Sequence, residues 1–373
     1  MRKRSELKYS ALVVAVSVFV ACGAVHSQPN DTGARPRAGL DMVVTDAAGK
    51  PVTGLSAQDF TLLDKGKPQK ILTFHPMNEV LSGGVNAITT SEVMILIDTQ
   101  NTRALDTDSN GDRYTENTGQ EYVAYERQQV GLFLRKNNGQ LPYPVSVLIY
   151  GQNGAKPIAP PSRDGNALAA VLEKTNPTQQ VFRESQAYYG AVERMQLSLK
   201  TLGSLALESA QRPGRKVLIW ISPGWPILQA TEAETNAKQS KALFSGIVTV
   251  STTLRQARMS VYAIDPNRDP GFNSSGWFRY TGYVKPVTRW KDATVGNMAL
   301  QVVAEQSGGL AINGTDQVLS DQIARYGAEG TSGYLLSFEV AAGSDSDEYH
   351  DLKVTVDKPG LKVRARSGYY AQP

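Results

Sequence analysis

Cysteine and histidine are scarce in this chain, and their scarcity excludes several kinds of chemistry. The 373 residues include one cysteine, Cys22, and three histidines. A single cysteine cannot form an internal disulfide or supply a thiolate metal cluster. The sequence also lacks the GxSxG, HExxH, P-loop and GxGxxG motifs of hydrolases, zinc proteases and nucleotide-binding enzymes. We therefore predict that the chain is not an enzyme.

Excess charge and a long apolar run are lacking as well. Without its first 27 residues the chain has 35 Lys and Arg against 34 Asp and Glu, so it offers no electrostatic footprint for nucleic acid. The apolar run "ALVVAVSVFVA" (11–21) follows a basic segment and is too short for a comfortable membrane span. This pattern predicts a signal peptide over residues 1–27. We expect a periplasmic, outer-membrane-associated or extracellular protein.

The end of the signal peptide allows two outcomes. Cys22 follows "FVA", which resembles a bacterial lipobox with Phe19 where Leu is usual, and this predicts a lipid anchor on Cys22. Ordinary cleavage after Ser27 instead leaves a soluble protein. Either way, contact with a membrane is expected only through the signal peptide or the anchor.

The rest of the chain divides by its apolar pattern. A linker rich in proline and glycine covers 28–39, and alternating apolar and polar residues predict a β unit over 40–85. The same alternation returns over 332–373. We predict that these two units pack together as a small β-sandwich-like domain formed from both chain ends.

Residues 90–331 have a different pattern. Continuous apolar runs such as "EVMILID" (92–98) and "RKVLIWISPG" (215–224) alternate with helical segments, including 165–174 and 184–211. This predicts an α/β fold with a doubly wound, mostly parallel sheet. In such sheets the loops after the strands meet at one edge, where ligands bind. We expect a binding face there, formed by four long loops: 99–120, 151–164, 223–238 and 267–291.

At this point the chain resembles the VWFA-related (von Willebrand factor type A-like) domain proteins of the Acidobacteria type. The residues that carry the resemblance include "VTDAAGKPVTGLSAQDFTLLDKGKPQKI", "ILIDTQNT", "GRKVLIWISPGWP", "VYAIDPN" and the closing "VRARSGYY". They extend over most of the chain from about 40 to 371. The resemblance implies a secreted or surface protein that binds other proteins, without catalysis.

The resemblance also implies a metal-adhesion site, from which this sequence departs. Such a site holds Mg²⁺ with an Asp and hydroxyls at the sheet edge. Here Asp98 and Thr102 match, but Gln100 replaces a hydroxyl and Pro223 stands where metal-binding relatives carry Asp. For the Thr of the second loop, Ser185 is a candidate by position alone. The site is degenerate, and the alternative is that Asp98 only caps its loop through backbone N–H groups.

The loop "DTDSNGDRYTEN" (106–117) has the alternating oxygens of a calcium loop. The candidate ligands are Asp106, Asp108, Asn110, Asp112 and Glu116. Asn117 stands where a bidentate Glu is expected, and a strand precedes the loop instead of a helix. Two interpretations remain open: a weak Ca²⁺ site that stiffens the loop, or a solvated acidic turn.

Aromatic and basic residues alternate in the loop after the fourth strand of the core. Trp277, Phe278, Arg279, Tyr280 and Tyr283 are the types that anchor interfaces. They predict a surface for a protein or glycan partner at the cell surface. The alternative is a local lid packed on the sheet.

On these grounds we expect a binding or adhesion module that recognises a macromolecular partner through the loops at the carboxyl edge of the sheet. One alternative is a structural envelope protein without a discrete ligand. The other is a carboxylate-based enzyme using groups such as Asp98 and Asp265.

Overall fold

The computed structural model describes most of the chain after the predicted signal peptide and linker. The described residues are 37–77, 80–81, 84–85, 90–101, 116–175, 187–225, 236–266, 278–313, 318–340 and 347–372. Within these ranges, no helix combines the length and apolarity needed to cross a bilayer.

A mostly parallel sheet forms the centre of the molecule. Its strands, in chain order, are β7 (Ser91–Asp98), β8 (Gln140–Gly151), β9 (Gly154–Pro157), β10 (Ser162–Asp164), β11 (Arg215–Ile221), β12 (Met259–Asp265) and β13 (Leu310–Asn313). The spatial order is β10-β8-β7-β11-β12-β13, and β9 also pairs with β8. The contiguous strands β8, β7, β11, β12 and β13 are parallel to one another.

Six α-helices accompany this sheet in the described residues. They are α1 (Glu116–Arg135), α2 (Gly165–Lys174), α3 (Ala187–Ala210), α4 (Ala237–Gln256), α5 (Leu300–Gln306) and α6 (Leu319–Thr331). Short 3-10 helices cover Ala57–Asp59, Lys136–Gly139, Phe278–Tyr283, Trp290–Asp292 and Val295–Met298.

Alternate side chains of the central strands point to opposite faces, and helices cover both faces. In β7, Met94 and Leu96 join a core with α3, α4 and α5. Val93, Ile95 and Ile97 join a second core with α1, α2 and α6. A strand buried on both faces must be apolar throughout, which explains the continuous apolar runs of the sequence. The predicted α/β fold with a mostly parallel sheet is confirmed.

Residues 151–164 differ from the prediction, which treated them as a long loop at the carboxyl edge. The chain turns at Gly151 and Gly154, and β9 runs back along β8. β10 then pairs with β8 in the antiparallel sense. Gln152 and Asn153 form the turn, and Gly154 directly after them adopts a φ of +83°, a conformation that favours glycine. This segment extends the sheet sideways.

Strands from both chain ends pair with one another in two four-stranded antiparallel sheets. Their strands are β1 (Arg37–Thr45), β2 (Phe60–Asp64), β3 (Lys67–Gln69), β4 (Thr73–Pro76), β14 (Tyr334–Glu339), β15 (Tyr349–Val356), β16 (Lys362–Ala365) and β17 (Gly368–Tyr370). The first sheet has the order β16-β1-β14-β4, and the second has the order β17-β15-β2-β3. A further hairpin joins β5 (Val80–Leu81) to β6 (Gly84–Val85).

Both terminal sheets contribute to one apolar cluster, in which Leu40 and Tyr334 of the first sheet lie with Leu62 and Tyr369 of the second. That these sheets constitute a separate sandwich-like domain, with the boundaries given above, stays a prediction. Polar contacts also connect them to the central α/β core. Arg258, which precedes β12, donates from Nε to Asp41 Oδ2 in β1 at 3.0 Å.

Candidate functional site

Polar residues gather where the parallel strands end. Asp98 is the last residue of β7, and Asp265 is the last residue of β12. Between these strands, β11 ends at Ile221 and continues into Ser222 and Pro223. The parallel register sets Ile97 beside Ile221 and Ile221 beside Ile264. The carboxyl ends of these strands therefore lie at the same level, which is where doubly wound sheets bind ligands.

Asp98 is buried, with 1% of its surface exposed, and both carboxylate oxygens accept hydrogen bonds. Oδ1 accepts from the backbone N–H groups of Gln100 and Asn101, each at 2.9 Å. Oδ2 accepts from Asn101 Nδ2 and from Trp220 Nε1, each at 2.8 Å. Asp98 thus holds the start of the loop after β7 in one conformation, as the capping alternative requires.

The same hydrogen-bond network extends to α3 and β8. Asn101 Nδ2 also donates to Ser198 Oγ at 3.1 Å, and Ser198 Oγ lies 3.3 Å from the Tyr150 hydroxyl. Trp220 packs edge-on against Tyr150, with ring centroids 5.8 Å apart. We call Asp98, Asn101, Ser198, Tyr150 and Trp220 the edge cluster. Its contacts hold the first residues of the loop after β7 against β8, β11 and α3.

Burial raises the pKa of Asp98, because a buried carboxylate loses its hydration. The donors from Asn101 and Trp220 act in the opposite direction, since they stabilise the charged form. The carboxylate is therefore kept in an apolar site by donors that the protein itself supplies.

Glu126 is a buried carboxyl group that the sequence analysis missed. It lies in α1, is 1% exposed, and its Oε2 has no hydrogen-bond partner among the described residues. Its pKa is raised well above the usual value by burial first and then by the negative charges of Asp98 and Asp265. A signal was present in the sequence, because Val123, Glu126 and Val130 share the spacing of one helix face and all are buried.

The described residues do not fit the Mg²⁺ that the family resemblance implies. Each oxygen of Asp98 already accepts two hydrogen bonds from donors of the chain. Gln100 turns its Nε2 toward Thr99 Oγ1 at 3.2 Å, which leaves its buried Oε1 without a partner among the described residues, and Pro223 offers no carboxylate. Nor does any group of three His, Cys, Asp or Glu within the described ranges have an arrangement that suits a metal ion. Thr102 and Ser185 lie outside those ranges.

The candidate calcium ligands Asp106, Asp108, Asn110 and Asp112 also lie outside the described residues, as does Cys22. Glu116 is the first residue of α1, so its backbone is helical. Calcium binding and lipidation stay predictions.

The aromatic segment after β12 is described in part. Trp277 lies outside the described residues, and Phe278 begins a 3-10 helix that ends at Tyr283. Tyr280 is 8% exposed and belongs to the core on the α3–α5 face, and Tyr283 packs against that core. Arg279 is exposed. The two tyrosines thus pack as the lid alternative expects, and binding of a partner by this segment stays a prediction.

Comparison with protein-family models finds no match. Comparison with curated proteins finds none either. Similar solved structures include the conserved hypothetical protein BatB from Bacteroides thetaiotaomicron, with 14% identity, a TM-score of 0.30, and coverage of 64% of this chain and 99% of that one. For the SpRpn10 VWA domain the identity is 13%, the TM-score is 0.26, and the coverages are 63% and 94%.

A third similar structure is the PilB minor pilin from Streptococcus sanguinis, with 10% identity, a TM-score of 0.30, and coverage of 82% of this chain and 90% of that one. The SpRpn10 match is to a VWA domain, the kind of fold that the sequence resemblance implies. At these TM-scores the likenesses carry no argument about activity or partners. The Acidobacteria type stays a prediction.

Proposed function

We propose that this chain is an exported binding protein that recognises a macromolecular partner, a protein or a glycan, through the loops at the carboxyl edge of its parallel sheet. The observation that supports this most is the edge cluster. In this cluster the buried carboxylate of Asp98 accepts hydrogen bonds from the Asn101 amide and the Trp220 indole N–H. These bonds fix the first residues of the loop after β7. Residues at the base of a loop that are already fixed lose less conformational entropy when the loop binds a partner.

The mode of recognition in this proposal does not depend on a divalent cation at Asp98. Donors from Asn101 and Trp220 occupy the carboxylate oxygen that faces the cluster. Contact with the partner then relies on side chains carried by the loops. Arg279 is the exposed member of the predicted partner surface among the described residues.

The test begins with the purified protein immobilised against extracts of the native envelope. A partner captured in a saturable manner is then titrated against three proteins: wild type, Arg279→Glu and Lys174→Glu. Lys174 is the exposed last residue of α2, and its replacement makes the same change of charge outside the segment Phe278–Tyr283.

We expect Arg279→Glu to weaken binding at least tenfold and Lys174→Glu to change it less than twofold, with and without EDTA. No saturable partner would favour the structural envelope protein. Equal loss in both variants would remove the carboxyl-edge surface from the proposal, because only general electrostatics would remain.

A further inference from the structure

Basic side chains concentrate on a surface formed by the first turns of α4 and the residues around Trp290. Residues 236–245 and 285–292 together contain five Lys or Arg and one carboxylate, that of Asp292. Without its first 27 residues the chain has 35 Lys and Arg against 34 Asp and Glu, so this excess of positive charge is a local feature. Such an excess favours a partner of opposite charge.

Contacts between the two segments bring these cations together. The Nζ of Lys241, in α4, lies 5.0 Å from the centroid of the Trp290 ring, and the Nζ of Lys291 lies 5.6 Å from it. Lys238 precedes Lys241 by three residues and is therefore on the same face of α4. We call Lys238, Lys241, Arg289, Trp290 and Lys291 the Trp290 patch.

The Trp290 patch lies beside the carboxyl edge of the central sheet. α4 connects the parallel strands β11 and β12, so it runs antiparallel to them. Its first turns, which carry Lys238 and Lys241, therefore lie near the carboxyl ends of the strands. Residues 285–291 belong to the long loop after β12 that was predicted to form part of the binding face. The patch thus adjoins the surface of the proposed function.

The lysines of the patch are available to an anion from outside the chain. Lys238, Lys241 and Lys291 are exposed, and none of them forms an ion pair within the described part of the chain. Asp292 is bound by Arg289, from Nε to Oδ2 at 2.7 Å and from Nη2 to Oδ1 at 3.1 Å. Two ammonium groups beside one indole ring repel each other, and a carboxylate that contacts both offsets this repulsion.

The composition of this surface favours a glycan over a protein as the anionic partner. In residues 236–245 and 285–291 the exposed side chains are Lys, Arg, Asn, Ser and Thr, with Ala237 as the single apolar member. The centre of a protein–protein interface is apolar, which this surface does not provide. Trp290 is half-buried, and its ring is a flat apolar surface of the kind on which sugar rings stack.

We propose that the Trp290 patch binds an acidic polysaccharide, with uronate carboxylates paired to Lys241 and Lys291 and a sugar ring against Trp290. This inference rests on the proposed function, because it specifies the class of partner for the surface beside the carboxyl edge. Exposed ion pairs are individually weak, so binding requires several of them along one polymer.

Isothermal titration of the purified protein with tetragalacturonate, at low and at physiological salt, tests the proposal. The methyl ester of tetragalacturonate keeps the sugar rings and lacks the charges. A peptide of four glutamates with blocked ends keeps the charges and lacks the rings. We expect saturable binding of tetragalacturonate that weakens as salt increases, and at least tenfold weaker binding of both controls.

Three results of this titration would overturn the proposal. The first is absence of saturable binding of tetragalacturonate. The second is equal binding of its methyl ester, which would mean that the lysines do not contribute. The third is equal binding of the glutamate peptide, which would favour an acidic protein as the partner.

Variants locate the binding on the Trp290 patch. Lys241→Gln combined with Lys291→Gln should lose affinity for tetragalacturonate at least tenfold. Lys353→Gln combined with Lys362→Gln removes two exposed lysines of the terminal sheets and should change it less than twofold. Trp290→Leu should weaken tetragalacturonate at least fivefold and leave the glutamate peptide unchanged. Equal loss in the two lysine pairs, which alter exposed side chains only, overturns the proposal even if Trp290→Leu does not fold.

This experiment fails or succeeds separately from the capture of an envelope partner. If a partner is captured and Arg279→Glu weakens it while tetragalacturonate does not bind, the acidic-glycan inference is wrong and the proposed function stands. If tetragalacturonate binds as expected and no envelope partner is captured, the inference about the Trp290 patch stands and the proposed function loses its support.

Discussion

At the scale of single residues, Asp98 organises the carboxyl edge, because its carboxylate accepts four hydrogen bonds from donors of the chain. Trp220 Nε1 donates to Asp98 from the neighbouring strand β11, and Asn101 Nδ2 donates to it from the loop that follows β7. Asp98 was identifiable from the sequence because it directly follows an apolar strand. Trp220 was not, since an indole inside an apolar run is normally assigned to the core and its N–H direction depends on tertiary structure.

We predict that Trp220→Phe lowers the free energy of unfolding more than Trp225→Phe does, by about 2 kcal/mol, the contribution of a hydrogen bond to a charged group. Trp225 is the matched control because it is equally buried, packs 5.7 Å from Trp220 and has an Nε1 without a partner in the described residues. Urea denaturation followed by circular dichroism measures both variants.

The pH dependence of this difference gives a second check. The Trp220 bond lowers the pKa of Asp98, so it favours the ionised form. The difference between the two variants should be largest above the pKa of Asp98 and shrink as the pH falls through it. A difference that does not change with pH would assign the effect to packing.

At the scale of elements, the sequence identified most helices and parallel strands, since amphipathic and continuous apolar patterns report burial directly. The predicted helix over 165–174 coincides with α2. The segment 151–164 was misassigned because hairpin strands beside a sheet edge have short, weak patterns. Its turn residues were present in the sequence but were interpreted as a loop.

Packing of α2 against α1 depends on the absence of a side chain at Gly165. A Cβ atom there would lie 2.0 Å from the Leu134 carbonyl oxygen at the end of α1. We predict that Gly165→Ala destabilises the protein by about 2 kcal/mol, because α2 must shift. Thermal denaturation measures the effect.

Gly203→Ala is the control, since a Cβ atom at that position in α3 meets nothing within 4 Å. It should be neutral or stabilise the protein by up to about 1 kcal/mol, as alanine favours a helix over glycine. Equal destabilisation by both substitutions would contradict the close α1–α2 contact.

At the scale of the whole molecule, Arg364 connects a terminal strand to the central core. From β16 its Nη2 donates to the Tyr262 hydroxyl at 2.9 Å and to Glu329 of α6, and its Nε donates to the Gly308 carbonyl at 3.2 Å. Glu329 is 3% exposed. The pairing of both chain ends followed from their similar alternation, but no pattern in the sequence specified these contacts between distant side chains.

We predict that Arg364→Met lowers the free energy of unfolding by about 3 kcal/mol, because it leaves Glu329 buried without its cation. Lys362→Met, on the same strand but exposed, should change it by less than about 0.5 kcal/mol. Chemical denaturation of the two variants and the wild type measures these free energies of unfolding. Similar stability of both would mean that Arg364 does not hold the terminal sheets to the core.

Pairing between the two chain ends also determines when the protein can finish folding. Asp64 in β2 meets His350 in β15 across 286 positions of sequence, with His350 Nδ1 2.9 Å from Asp64 Oδ1. During synthesis the early strands therefore emerge long before their partners exist, with edges that are open to wrong pairing. A chain cut between β13 and β14 would have every strand of the central sheet and early strands whose edges are exposed and prone to aggregation.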